Sequence, residues 1–147
     1  MSGVLLDTNV ISELTRPTPA PPVVAFLAER DDLWLSALVL HELEFGLLLL
    51  PSGRRRVALR NVLSEFVRRY EDRVLPVGRR AADQAARLRA DARRRGRHLD
   101  LGDALIAGTA RAHDLCVATR NVADFEGLDL SVTNPWDFPL TESESKP

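Results

Sequence analysis

Short apolar runs alternate along this chain with longer amphipathic stretches. The short runs have the length of buried strands and cover residues 4–6, 33–37, 74–77, 115–119 and 130–133. The longer stretches place apolar residues at helical spacing and cover residues 9–14, 22–30, 54–70, 81–95 and 101–113, and one more helix runs through Glu42 to residue 50. Gly96 ends the helix at 81–95, as glycine commonly does.

Strands that alternate with helices are typical of an α/β fold with a mainly parallel sheet. With 147 residues, the chain has the size of one domain. In such folds, ligands bind outside the carboxyl ends of the strands, near the point where the strand order reverses. The residues that follow the predicted strands are therefore the first candidates for a functional site.

Acidic residues stand beside several of the apolar runs. Asp7 closes the first strand, Glu42 and Asp103 lie on apolar helices, and Asp124 follows the fourth strand. Carboxylates in apolar surroundings are unfavourable unless a positive group compensates them, and hard divalent cations prefer oxygen ligands. The alternatives are structural: Asp7 could cap a helix, Asp103 could form a capping box with Asp100, and Asp124 could be a turn residue.

The composition narrows the kinds of metal site that the chain could form. The hydrophobic fraction of 45% and the charged fraction of 28% are ordinary for a globular protein. A single cysteine, Cys116, excludes an internal disulfide and a multi-cysteine zinc site, and three scattered histidines do not favour a histidine-rich one. Nothing at the N-terminus resembles a signal peptide, and no apolar stretch reaches the roughly 20 residues of a membrane span. We therefore expect a cytoplasmic protein without a membrane segment.

Charge is distributed unevenly along the chain. Residues 54–97 contain fifteen arginines and five acids, although the formal net charge of the whole chain is only −1. A basic middle beside an acidic remainder suits a protein that holds a polyanion while its acids hold a metal ion. The alternative is that these arginines only form the solvent-exposed faces of helices.

Four segments together resemble a known family. They are LLDTNVISEL at the start, HELEFG around Glu42, LDLGDALIAGTA around Asp103 and VATRNVADF near the end. In this order and spacing they resemble PIN-domain ribonucleases and, more narrowly, the VapC-type toxins of bacterial toxin–antitoxin pairs. The later segment TNPW, which ends at Trp136, is similar to the branch that includes FitB-like proteins. The resemblance implies a three-layer sandwich, with helices on both faces of a mainly parallel five-stranded sheet.

The resemblance also implies roles for individual residues. Those that match the metal ligands of the family, which hold Mg²⁺ or Mn²⁺, are Asp7, Glu42 and Asp103. The position of the fourth family acid holds Asn121, and the next acid is Asp124, so either could take that role. Residues that match the supporting polar positions are Thr8, Asn9 and Thr119.

The implied function is that of a toxin which hydrolyses RNA phosphodiester bonds through a metal-activated water. We expect Arg93, Arg94 and Arg95 to bind RNA, and a small VapB-type antitoxin to neutralise the enzyme. The PIN domain would span residues 1–138, followed by a polar, disordered tail at 139–147. Two alternatives are a non-catalytic PIN-like module that binds RNA or protein, and a phosphoacceptor signalling domain.

The family resemblance further implies a homodimer. Leucines 47–50 are followed on the next helix by Leu59, Leu63 and Phe66, which is more apolar surface than one side of a small sheet needs. Large apolar surfaces often mark protein interfaces. We therefore expect these residues to form the contact between two copies.

Overall fold

Five parallel strands form the centre of the protein. In this computed structural model, which describes residues 3–141, they are β1 (Val4–Leu6), β2 (Leu33–Ser36), β3 (Val74–Leu75), β4 (Cys116–Ala118) and β5 (Val132–Thr133). Their order is β3-β2-β1-β4-β5, and every neighbouring pair is parallel. The predicted five-stranded parallel sheet is confirmed. Most of the tail predicted to be disordered, residues 142–147, lies outside the described residues.

Six α-helices connect the strands. They are α1 (Thr8–Ser12), α2 (Pro21–Glu29), α3 (Ala37–Leu48), α4 (Arg54–Arg68), α5 (Arg79–Arg94) and α6 (Leu101–Ala112). The predicted second strand is one residue shorter than expected, because the Ser36 hydroxyl accepts a bond from the Val39 N–H and starts α3. The third strand stops before Pro76, which has no N–H to donate. Among the described residues, no helix is long and apolar enough to cross a membrane.

The chain reverses its direction across the sheet at β1. It first moves outwards from β1 through β2 to β3, and then returns past β1 to β4 and β5. Because crossovers between parallel strands are right-handed, the helices of the two halves cover opposite faces of the sheet. The reversal places the carboxyl ends of β1 and β4 side by side, with Leu6 in register with Ala118. Whatever follows these two strands lies at the switch point where α/β folds bind ligands.

The second half of the fold depends on close contact between α5 and α6. A Cβ atom added at Gly108 would lie 2.7 Å from the backbone nitrogen of Ala85 and closer still to the carbonyl oxygen of Ala81. Only glycine permits the two helices to approach so closely. Beside them, Leu88, Leu99 and the buried Phe125 belong to a second apolar cluster. This cluster ties the segment after β4 to the helix pair.

The prediction of which residues form the dimer contact is partly wrong. Three of its members, Leu47, Leu63 and Phe66, are buried in the core where α4 packs on α3. Two other members, Leu48 and Leu49, are exposed as expected, and so are their neighbours Phe45, Val57 and Val62. The apolar stripe of α4 is thus divided between the core and the solvent.

Candidate functional site

Asp7 is fixed at the carboxyl end of β1. Its backbone N–H donates to the carbonyl of Ala118 at 2.9 Å, which extends the pairing of β1 with β4 by one step. The carboxylate is buried, and it accepts bonds from the Thr8 N–H at 2.8 Å and from the Thr119 hydroxyl at 2.8 Å. Asp7 does cap α1. Its second oxygen nevertheless accepts a bond from the residue that follows β4, and a helix cap alone does not need such a bond.

Thr119 is the centre of a polar network behind Asp7. Its hydroxyl accepts from the side-chain amide of Asn9 at 3.2 Å and from the backbone N–H of Asn121 at 3.1 Å. The Asn9 amide also reaches Asp7 at 3.3 Å, and its oxygen accepts from the Arg120 N–H at 3.2 Å. Asn9 and Thr119, which were predicted to be supporting residues, both contact Asp7. They lock the segment after β4 to the segment after β1.

Glu42 reaches the same place from α3. It is half-buried, and burial is the main reason why its pKa is raised above the ordinary value, with the charge of Asp7 adding to it. The Thr8 hydroxyl lies beside Glu42 and lowers its pKa, which partly offsets this rise. The Thr8 oxygen is buried, and its contact with Glu42 does not reach full hydrogen-bond geometry. A Cβ atom added at Gly102 would lie 3.7 Å from Glu42 Oε1. Glu42 thus extends to the first turn of α6.

Asp103 lies in that first turn. Burial raises its pKa to about 6, and the charges of Asp7, Asp124, Asp100 and Glu42 all act in the same direction. Asp100 caps α6 by accepting from the Gly102 N–H at 3.0 Å. Within residues 3–141, Asp103 makes no bond back to the Asp100 N–H, so the alternative role of Asp103 in a capping box is not realised. Asp103 is instead the carboxylate on which the charges of the four others act.

The two candidates for the fourth acid differ in what they contact. Asn121 ends the turn after β4 and touches the network through its backbone N–H, which donates to Thr119. Asp124 belongs to the 3₁₀ turn Val122–Phe125 and is exposed, and its charge raises the pKa of both Asp7 and Asp103. The charge of Asp124 therefore acts on the acidic cluster, although its side chain is exposed.

The arginines expected to bind RNA do not behave alike. Arg93, Arg94 and Arg95 are all exposed at the end of α5. Arg93 lines an open cleft of about 740 Å³ together with Arg89, Arg97 and His98. Arg95 instead donates to the carbonyl of Gly127 at 2.7 Å and pairs with Asp91 at 3.2 Å. The basic surface is therefore centred on Arg89 and Arg93, and one member of the predicted run serves an internal contact.

Two contributors to the site escaped the sequence analysis. Asp100 was considered only as a helix cap, but its charge also acts on Asp103 and Glu42. Asp100 and Asp103 are three residues apart, and this spacing puts them on the same side of a helix. The spacing could therefore have indicated that Asp100 lies near the site. Arg97 was counted only within the basic middle, although its guanidinium bonds to the turn that carries Asp124. No sequence pattern indicates that contact.

The donor set of the cluster fits a hydrated divalent cation. Five carboxylates act on one another here, and among the described residues no Lys or Arg forms an ion pair with the clustered residues Asp7, Glu42, Asp100, Asp103 and Asp124. As placed, no three Asp, Glu, His or Cys side chains within residues 3–141 are close enough to hold one ion jointly. Mg²⁺ usually keeps several waters and takes only one or two carboxylates directly. The buried Thr8 hydroxyl beside Glu42 adds a polar group for such a water.

Comparison with known proteins identifies the family. A family model described as PIN domain matches residues 4–129. The chain belongs to the PIN-domain family. The VapC ribonuclease Y4jK of Sinorhizobium fredii is 40% identical over 137 residues, which cover 91% of this chain and 98% of that protein. Toxin FitB of Neisseria gonorrhoeae is 39% identical over 136 residues, which cover 90% and 98%.

A solved structure agrees with the sequence relatives. The crystal structure of FitAcB from Neisseria gonorrhoeae aligns with a TM-score of 0.84 at 39% identity, covering 91% of this chain and 99% of that one. The predicted PIN-like three-layer sandwich is therefore confirmed. So is the resemblance to VapC-type toxins and to their FitB-like branch.

Proposed function

We propose that this protein is a divalent-metal-dependent endoribonuclease that acts as the toxin of a toxin–antitoxin pair. The observation that carries the proposal is the group of carboxylates at the switch point between β1 and β4, whose charges act on Asp103 and with which no Lys or Arg of the described residues forms an ion pair. Such an arrangement is unfavourable by itself and becomes favourable when a cation binds. The names of the relatives, a VapC ribonuclease and a toxin, agree with this reading.

Each acid has a distinct part in the proposed site. Asp7, Glu42 and Asp103 hold Mg²⁺ or Mn²⁺, either directly or through water. When bound, the ion supplies charge to the phosphate and lowers the pKa of a water. Asp7 is the most firmly oriented of the three, because Thr8 and Thr119 bind its two oxygens. Asp124 takes the role of the fourth acid, because its carboxylate acts on Asp7 and Asp103 whereas Asn121 contacts the network through its backbone.

The RNA backbone would follow the basic cleft beside the acids. Arg89 and Arg93 line this cleft, which is adjacent to the turn that leads into α6 and its Asp100 and Asp103. RNA binding should therefore weaken with salt, by a log–log slope of about 0.7 for each neutralised phosphate. Exchanging Arg89 and Arg93 for Gln should make the slope shallower, whereas the exposed Arg80 near the start of α5 provides a matched control. An unchanged slope would move the RNA path elsewhere.

Two partners complete the proposal. A second copy of the chain would contact the exposed apolar side chains of α3 and α4, such as Leu48 and Leu49. A VapB-type antitoxin would neutralise the enzyme, as the resemblance to toxins of toxin–antitoxin pairs implies. An enzyme that cleaves cellular RNA in this way would work in the cytoplasm.

Cleavage of RNA by the purified protein tests the function. We expect cleavage with Mg²⁺ or Mn²⁺, none with a chelator, and none for Asp7→Ala or Asp103→Ala. Both variants should stay folded, because removing one charge relieves repulsion within the cluster. Metal-dependent RNA binding without cleavage by the wild-type protein would favour the non-catalytic module instead. If either variant unfolded where the wild type does not, the acids would be structural.

A further inference from the structure

Arg97 links the end of α5 to the turn that carries Asp124. Its guanidinium donates to three carbonyl oxygens of that turn, those of Ala123 at 3.0 Å, Asp124 at 3.5 Å and Glu126. Three carbonyls that converge on one cation fix the orientation of their peptide planes. The direction in which the Asp124 side chain leaves the turn is therefore set from outside the turn.

The backbone of Arg97 is itself fixed by the way α5 ends. Gly96 has a φ of +73°, in the left-handed region, and its N–H donates to the carbonyl of Arg93 at 3.0 Å. The Arg97 N–H reaches back to the carbonyl of Ala92 at 2.9 Å. These two bonds form a Schellman motif, in which glycine supplies the left-handed residue. The side chain of Arg97 consequently starts from a rigid position and points away from the helix.

Other contacts hold the two ends of the turn. Phe125 is buried in the second apolar cluster and anchors one end, and the Asp124 N–H donates to the carbonyl of Asn121 at 3.0 Å. Arg95 adds a bond to the carbonyl of Gly127. The Asp124 side chain is exposed, and no hydrogen bond from another side chain within residues 3–141 orients its carboxylate.

We propose that Arg97 is a positioning residue, which holds the turn of Asp124 against the other carboxylates so that Asp124 can serve as the fourth acid of the metal site. This inference rests on the proposed function. It also gives Arg97 a different task from its neighbours Arg89 and Arg93 in the basic cleft, because its donors are directed at the protein rather than at solvent. Replacing a residue that orients a metal ligand typically lowers metal affinity or activity by about 10- to 100-fold.

A double-mutant cycle with Arg97→Gln and Asp124→Asn tests the proposal. Binding of Mn²⁺ is measured by calorimetry, alongside kcat and KM for RNA cleavage and the melting temperature. We expect Arg97→Gln to weaken Mn²⁺ binding by about tenfold or more. The double variant should bind Mn²⁺ no worse than Asp124→Asn alone, since both changes remove the same acid from the site. Arg97→Lys, which can reach one carbonyl but not three, should fall between wild type and Arg97→Gln.

Arg94→Gln is the matched control, because Arg94 is exposed in the same basic run and forms no bond to the turn. It should leave Mn²⁺ affinity unchanged. The inference would be overturned if Arg97→Gln left the Mn²⁺ affinity unchanged. It would also be overturned if the losses of Mn²⁺ affinity in Arg97→Gln and Asp124→Asn multiplied in the double variant. Should Arg97→Gln not fold, Arg97→Lys takes its place in the cycle with the same criteria. A wild type that binds Mn²⁺ without cutting RNA would refute only the proposed function, since the cycle is read from metal binding.

Discussion

Replacing Asp103 with asparagine should make the metal-free protein more stable. Burial and four neighbouring carboxylates raise the pKa of Asp103 from 3.8 to about 6 in the folded protein. At about 1.4 kcal/mol per unit, this shift corresponds to a penalty of about 3 kcal/mol at neutral pH. Because Asp103 is only half-buried, solvent screening reduces the figure to about 1–2 kcal/mol. Asparagine keeps the shape of the side chain and removes the charge that causes the penalty.

The dependence on pH follows from the sign of the shift. Well below pH 3.8 the carboxyl is protonated in both the folded and the unfolded chain, so its charge does not affect stability. As the pH rises, the unfolded chain ionises first, and wild-type stability falls until Asp103 is also ionised in the folded state above about pH 6. The gain in Asp103→Asn should therefore be small at pH 4.5 and complete at pH 7.5.

Urea unfolding in the presence of a chelator measures this gain. The exposed Asp83 on α5 provides a control, since Asp83→Asn should change the free energy of unfolding by no more than about 0.5 kcal/mol. Adding Mn²⁺ should stabilise the wild type in proportion to its binding and should hardly affect Asp103→Asn. If Asp103→Asn were no more stable than wild type at pH 7.5, or if its gain were the same at both pH values, the electrostatic argument would be refuted.

Three further predictions concern other parts of the fold. Glu42→Gln should lower kcat for RNA cleavage far more than it lowers stability, and an unchanged rate across metal concentrations would remove Glu42 from the site. Gly108→Ala should cost about 1–3 kcal/mol in urea unfolding, because the new Cβ would collide with the backbone of Ala81; an unaffected variant would mean that α5 and α6 can separate freely. Light scattering should show a dimer that Leu49→Asp dissociates into folded monomers, whereas Leu63→Asp should unfold the chain because Leu63 is buried. If the Leu49→Asp variant were still a dimer, the contact would lie on another surface.

The sequence predicted the sheet because its evidence is local. Each strand is a short apolar run, and Gly96 marks where a helix stops. The position of Asp7 at the end of β1 followed from the strand pattern, and the general rule for parallel sheets made it a candidate for the site. Thr119 was predicted as the last residue of the fourth strand, and its supporting role came from the family resemblance. The structure adds the contact that joins them, a bond of 2.8 Å between the Thr119 hydroxyl and the Asp7 carboxylate.

The features that the sequence did not reveal depend on long-range packing. Periodicity shows that Leu63 and Val62 both belong to an apolar stripe, but only the packing of α4 against α3 decides that Leu63 is buried and Val62 exposed. In the same way, Arg95 and Arg97 look identical to Arg93 in the sequence. The turn after β4 lies beside the end of α5 only in the folded protein, and there it receives bonds from both.

The bond between Thr119 and Asp7 joins residues 112 positions apart, which has a consequence for biosynthesis. At about 5–20 residues per second, a ribosome needs roughly 6 to 20 seconds to make the intervening chain. During that interval Asp7 has neither β4 beside it nor the turn that carries Asp124, so the carboxylates cannot be assembled. A nascent toxin would thus remain harmless to the RNA around it, including the ribosome and messenger that produce it. Fragments released by stalled ribosomes before β4 would be inert for the same reason, so only a nearly finished chain would require an antitoxin.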